Sequence, residues 1–362
     1  MIHGDRMMKS WQVFTLGGII MLILGLVPGC ENAKPEPAPP VSEEVNWKIG
    51  ETTVYGTITR PNDNKVHPAI LLIAGSGPTD RDWNSPLIPG TNGSGKLLAE
   101  ALAAEGFLTL RYDKRISGPH AQENFPFLMG KISMQSHLDE VQGAVNLLLN
   151  NSNVDTAHII ALTNSEGAIH ALNYQRQTEG HRFSGLILTA PPGRSIADVA
   201  KTQMEALFST LPDSDKLMQL YEAAVSDFEA GKPVEPDPAL PDGAKQLLLS
   251  ISAPANLPFA RELWDTDISP WLHDINIPVL IVIGKKDVQV DWQLDGGKLE
   301  NAVKGKTNAV FKYPDNANHV LKYEEKPRSQ LGPADSLNYN SDGRVLDKDA
   351  LREIVEWLLS QT

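Results

Sequence analysis

The sequence predicts an α/β protein, a mostly parallel β-sheet covered by helices on both faces and interrupted by one helical insertion. Three observations carry this expectation. Short, unbroken apolar runs recur along the chain, "AILLIAG" (Ala69–Gly75) and "PVLIVIG" (Pro278–Gly284) being the clearest. A strand covered on both faces reads as such a run, because neither face meets water. Segments with helical spacing lie between the runs, and β and α units that alternate in this way build parallel sheets. Finally, the stretch from Arg194 to Asp274 holds helical patterns and no strand candidate.

From Trp47 the elements follow in order. "AILLIAG" predicts a strand, "KLLAEALAAEGF" a helix ending at Gly106, and "LTLRYD" the next strand. Met134–Leu149 has the spacing of an amphipathic helix. "HIIALT" then predicts a strand running into a turn at Ser165, followed by a helix, and "GLILTAP" another strand. After the insertion come strands at "PVLIVIG" and "NAVFKYP", and "DALREIVEWLLS" closes the chain as a helix. The expected organisation is a core of residues 47–193 and 275–362, with residues 194–274 as a helical cap. Within the insertion, "VAKTQMEALFSTL" and "KLMQLYEAAVSDFEAG" are helical, and the Pro-rich "KPVEPDPALPDG" follows them.

The N-terminus predicts export. Arg6 and Lys9 precede an apolar run from Val13 to Val27 that ends in "VPGC", with Cys30 the single cysteine of 362 residues. A basic region, a short apolar region and a small residue before a cut site form a secretory signal. Val27-Pro28-Gly29-Cys30 resembles the lipobox of bacterial lipoproteins, so residues 1–30 are expected to be a signal with lipid attachment at Cys30. The run is shorter than the roughly 20 residues a membrane-spanning helix needs. Residues 31–46, rich in Pro and Glu, lack apolar periodicity and are expected to be an extended tether. The expected location is therefore a membrane of a bacterial cell envelope. A net charge of -13 excludes a nucleic-acid backbone as a natural partner.

The chemistry gathers around "IIALTNSEGAIHAL" (Ile159–Leu172), where an apolar strand meets Ser165 and then a helical pattern. A strand–turn–helix nucleophile elbow, G-x-S-x-G, has this form, although Thr163 stands at its first glycine. A serine nucleophile needs a base and an acid to orient that base. Asp287 lies just beyond the late strand "PVLIVIG", and His319 lies in the loop before the last helix, in the chain order Ser, Asp, His. Asp315 competes for the acid role but lies in the same loop as His319. Two backbone N–H groups must meet the developing oxyanion. One is expected from Glu166, and the other from the loop "AGSGPTDRDWN", at Ser76 with Gly77 as second choice. "GTNGSGKL" (Gly90–Leu97) fits G-x-x-x-x-G-K, but Leu97 stands where a phosphate loop needs Ser or Thr, and no strand leads directly into it. The Cys and His spacings match no metal site, and no cofactor is expected.

These blocks together resemble the α/β hydrolase superfamily, and within it a bacterial esterase-like family with "GSGPTDRDGN", "RYDKRG", "GHSEGG" and "GEKDLQV" motifs. Here they read "GSGPTDRDWN" (Gly75–Asn84), "RYDKRI" (Arg111–Ile116), "TNSEGA" (Thr163–Ala168) and "GKKDVQV" (Gly284–Val290), with "NH" at Asn318–His319. The resemblance spans about Trp47 to Leu359. It implies an α/β-hydrolase fold and a serine hydrolase of small carboxylic esters, with Ser165 as nucleophile, Asp287 as acid and His319 as base. Thr163-Asn164 replaces the family's Gly-His, and Ala74 stands where the family has His. The β-branched Thr163 is expected to crowd the elbow and impair it. Peptidases and thioesterases use the same three groups, and a degenerate scaffold binds without turnover, so these alternatives stay open.

Overall fold

The computed structural model describes residues 38–362. The signal segment, Cys30 and residues 31–37 of the expected tether lie outside the described residues. A single eight-stranded sheet runs through the rest in the order β1-β2-β4-β3-β5-β6-β7-β8. Its parallel part is β4 (Leu108–Tyr112), β3 (His67–Ile73), β5 (Val154–Asn164), β6 (Gly185–Thr189), β7 (Val279–Val282) and β8 (Ala309–Lys312). β1 (Val41–Ile49) and β2 (Thr52–Arg60) form an antiparallel hairpin that joins the sheet at β4.

The unbroken apolar runs have the expected cause. In β3, Ala69, Leu71 and Ile73 enter one core layer, while Ile70 and Leu72 enter the layer on the opposite face. The first layer includes α3 (Met134–Leu149) and α4 (Gly167–Gln177), and the second includes α1 (Ser94–Ala104) and α11 (Lys348–Gln361). Ser133 caps α3 by accepting from the Ser136 N–H, and Asp347 caps α11 through the Ala350 N–H. Each satisfies a donor that the first helical turn leaves free.

The hairpin corrects the tether boundary, since strand structure begins at Val41 rather than after residue 46. In "VSEEVNWKI", Val45, Trp47 and Ile49 pack on the core, while Ser42, Glu44, Asn46 and Lys48 face water. That period of two was present in the sequence, but the Glu pair masked it. β2, "TTVYGTITR", gave no apolar run because four of its nine residues are threonines. Thr52, Thr53, Thr57 and Thr59 are nonetheless buried, as β-branched residues in a covered strand can be when their hydroxyls find partners. Two short helices, α2 (Ala121–Leu128) and α10 (Leu294–Ala302), were also not expected.

Between β6 and β7 lie only helices: α5 (Ile196–Phe208), α6 (Ser214–Glu229), α7 (Asp242–Ser252), α8 (Phe259–Trp264) and α9 (Ser269–Asp274). Phe208, Tyr221, Ala244 and Leu248 form a core of their own there. Leu263, Ile268 and Leu272, near the end of the same insertion, instead pack into the main layer of α3 and α4.

Candidate active site

The expected triad and oxyanion residues all follow the C-terminal ends of parallel strands, β3, β5, β7 and β8. In open α/β sheets this edge is where ligands bind. β5 ends at Asn164, and Ser165 turns the chain into α4 with φ +53°. That left-handed conformation costs a non-glycine residue about 1–3 kcal/mol and is typical of functional strain. The surroundings impose it. The Ser165 N–H donates to Thr189 O at 2.9 Å, and Ser165 O accepts from the Ala168 N–H at 2.9 Å. Gly167 faces the end of β3 so closely that a Cβ there would lie 2.4 Å from Ile73 O. Ser165 is half-buried between buried neighbours, so its hydroxyl is reachable.

Thr163 does not crowd this turn. It is wholly buried in β5, and its hydroxyl donates to Ile187 O at 3.3 Å. Its side chain therefore occupies space within the sheet rather than under Ser165.

His319 and Asp287 are both buried, with His319 Nδ1 2.8 Å from Asp287 Oδ2. The other oxygen, Oδ1, accepts from the Gln289 and Val290 N–H groups at 2.7 and 3.0 Å. The carboxylate is thus held on both sides. The loop carrying His319 is tied to the elbow by Asn164, whose Nδ2 donates to His319 O at 2.9 Å. Among the described residues the Ser165 hydroxyl makes no hydrogen bond, so the elbow and the His319 loop meet through Asn164 rather than through the imidazole. In unliganded sites such hydrogen bonds are often long or poorly aligned and form only with substrate. Asp315, the other carboxylate considered, is exposed and paired with Lys285 at 2.7 Å.

The loop after β3 lies against Ser165. A Cβ on Gly75 would come within 3.3 Å of Ser165 Cβ and 3.1 Å of Asn164 Oδ1. Among the described residues, the N–H groups of Ser76, Gly77 and Glu166 donate to no protein acceptor. The glycines of "GTNGSGKL" have a packing reason instead: a Cβ on Gly93 would lie 1.9 Å from Asp82 O, and one on Gly90 2.1 Å from Asn340 O.

No family model matches the chain. It is 24% identical over 306 residues to the esterase EstD of Thermotoga maritima, a match covering 84% of this chain and 65% of that protein. The chain thus spans somewhat under two thirds of that relative's length. Among solved structures it is similar to VinJ, with a TM-score of 0.52, 15% identity and coverage of 90% of this chain and 100% of that one. It is also similar to a bromoperoxidase from Bacillus anthracis, at TM-score 0.50, 15% identity, and 88% and 100% coverage. A third likeness, to 2,6-dihydroxy-pseudo-oxynicotine hydrolase, has TM-score 0.50, 14% identity, and 88% and 67% coverage. The chain has the α/β-hydrolase fold.

Beneath the elbow this α/β-hydrolase core carries a buried network of charged side chains that the sequence reading did not foresee. Arg115 Nε meets Glu140 Oε1 at 3.0 Å, and Glu140 Oε2 meets His137 Nδ1 at 3.0 Å. The rings of His137 and His170 lie 4.4 Å apart, and His170 Nε2 is 3.1 Å from Glu166 Oε1. Lys114 Nζ stands 3.7 Å from the same Glu166 oxygen and donates to Gly75 O at 2.7 Å. The only sequence signal was "RYDKR", a charged cluster directly after a strand and so placed at the site edge.

The network makes stability depend on pH. Burial, reinforced by His137, lowers the His170 pKa to about 4 from its ordinary 6.5. Burial alone would raise Glu166 and Glu140. Lys114 and His170 instead hold Glu166 well below the usual range, and His137 and Arg115 bring Glu140 down to about 2. Between pH 6.5 and 4 the unfolded chain binds a proton at His170 that the folded chain refuses, so stability falls as pH falls. The full shift corresponds to on the order of 3 kcal/mol. Below about pH 4.5 the two carboxylates add a further loss of the same sign. Thermal melts across pH 7 to 4 are expected to show a steeper loss of Tm for the wild type than for His170→Gln. Parallel slopes would show that His170 is not the titrating group.

Proposed function

We propose that this chain is a serine hydrolase of carboxylic esters. The observation that carries the reading is the buried His319–Asp287 pair, 2.8 Å apart, at the same sheet edge as a half-exposed serine in a left-handed elbow. A buried carboxylate that holds Nδ1–H leaves Nε2 free to act as base. In this reading Ser165 Oγ attacks the acyl carbonyl while His319 Nε2 takes its proton. The N–H groups of Glu166 and of Ser76, with Gly77 beside it, receive the oxyanion, and the alcohol leaves with the proton from His319. Water, deprotonated by the same imidazole, then cleaves the acyl-enzyme. The likeness to the esterase EstD supports an ester rather than an amide or thioester, since the fold itself hosts all three.

The helices of residues 194–274 serve in this reading as a cap that bounds the acyl group. Gln203 in α5 supports this, because its Nε2 donates to Gln289 O at 3.1 Å, two residues beyond Asp287. A fluorophosphonate probe tests the whole reading. It is expected to label the wild type at one serine, and Ser165→Ala is expected to take no label. Absence of label and of ester turnover in the folded wild type would favour a scaffold that binds without catalysis.

A further inference from the structure

We propose that Lys114 is a positioning residue for the oxyanion hole, its buried ammonium gripping the Gly75 carbonyl so that the adjoining Ser76 N–H is aimed at the reacting carbonyl. The inference rests on the reading of Ser165 as nucleophile. Lys114 follows β4, and its side chain is only 4% exposed. A buried ammonium is costly unless its charge and its donors are met. Its nearest carboxylate oxygen, on Glu166, is 3.7 Å away, which is long for a charge-assisted hydrogen bond. Its short contact is to Gly75 O, at 2.7 Å. The strongest interaction of this cation therefore goes to a single backbone carbonyl at the edge of the site.

A trans peptide is planar, with its C=O and N–H pointing in opposite directions. Fixing the Gly75 carbonyl against Lys114 turns the Ser76 N–H away from the core, toward the exposed side of the loop, where it has no protein acceptor among the described residues. The pin matters because residue 75 is a glycine, packed where a Cβ would crowd Asn164 and Ser165 Cβ at 3.1 to 3.3 Å, and glycine by itself leaves the peptide free to rock. The positive charge on the carbonyl also polarises the amide and strengthens its N–H as a donor.

The second donor is held in a matching way. The Ser165 carbonyl, in the same peptide as the Glu166 N–H, is taken by the Ala168 N–H at 2.9 Å. The Glu166 side chain meanwhile brings its Oε1 to 3.7 Å from the same ammonium. One cation thus spans the two segments that supply the donors. None of this touches the substrate, so the effect on rate comes through the backbone.

Two readings test the assignment in Lys114→Met, an apolar replacement of similar length. Removing one oxyanion donor costs about 10²–10³ in kcat, and loosening it should cost part of that. The variant is therefore expected to lose about 10–10²-fold in kcat on a p-nitrophenyl ester, with KM within about twofold. The backbone order parameters of residues 75–77, read by ¹⁵N relaxation, should fall, while those of β5 and β6 stay at the wild-type level. Lys114→Gln, which keeps a neutral donor and is the milder change should Lys114→Met not fold, is expected to fall between the two in both readings. An active wild type matched in kcat by a folded Lys114→Met or Lys114→Gln overturns the Lys114 role alone. So does a kcat loss without lower order parameters at residues 75–77. A wild type inert to ester and fluorophosphonate alike overturns the hydrolase reading, and the oxyanion role with it.

Discussion

Ester turnover is expected to fall on the order of 10³-fold or more in Ser165→Ala and in His319→Ala, and the double variant is expected to fall little further. The reason is that in the proposed mechanism the two groups act in one proton transfer. Without the hydroxyl the imidazole has nothing to deprotonate, and without the imidazole the hydroxyl is a weak nucleophile at neutral pH. Residual rate in all three variants should come from the backbone donors of Glu166 and Ser76, which neither substitution removes. The single and double variants, assayed on one p-nitrophenyl ester, form the cycle. Losses that multiply would mean that Ser165 and His319 act independently and that no catalytic unit exists.

Asp287→Asn is expected to cost about 10⁴ in kcat at neutral pH, although it changes one atom. The local geometry explains why. Asp287 Oδ1 accepts from the Gln289 and Val290 N–H groups, while Oδ2 faces His319 Nδ1. An asparagine must keep its oxygen on the two backbone donors, since an NH₂ there would oppose two N–H groups. Its NH₂ then turns toward His319 and donates to Nδ1. That bond selects the tautomer protonated at Nε2, which cannot accept the Ser165 proton. Asp315→Asn is the control, because its carboxylate is exposed and paired with Lys285. It should leave kcat within a factor of about two. Comparable losses in the two variants would remove Asp287 from its assigned role.

Elements whose side chains meet the same surroundings on all sides were legible in the sequence. β3 and β7 read as continuous apolar runs because both faces of the sheet are covered, and α3 showed its one-sided pattern to the residue. The β1–β2 hairpin was not legible, because its burial depends on threonine hydroxyls and on one face of a strand that also carries two glutamates. Such strands reveal themselves only when the partner strand and its core layer are in place.

By itself the sequence determined the order of the elements, the strand-to-helix turn at Ser165, and the chain order Ser165, Asp287, His319. These follow from local rules: period, run length, and which residue types end a strand or open a helix. Only the tertiary structure decided that Asp287 rather than Asp315 faces His319, and that Thr163 finds room inside the sheet. It also decided that Asn164 ties the elbow to the His319 loop, and that Lys114 reaches Gly75 beneath both. Each of these is a contact between segments that different strands of the one sheet bring together, with separations such as 155 residues between Asn164 and His319. Whether a carboxylate is buried beside an imidazole or lies in water beside a lysine depends on which loops the sheet places side by side. No pattern along one segment carries that information, because the free energy of the contact belongs to both segments at once.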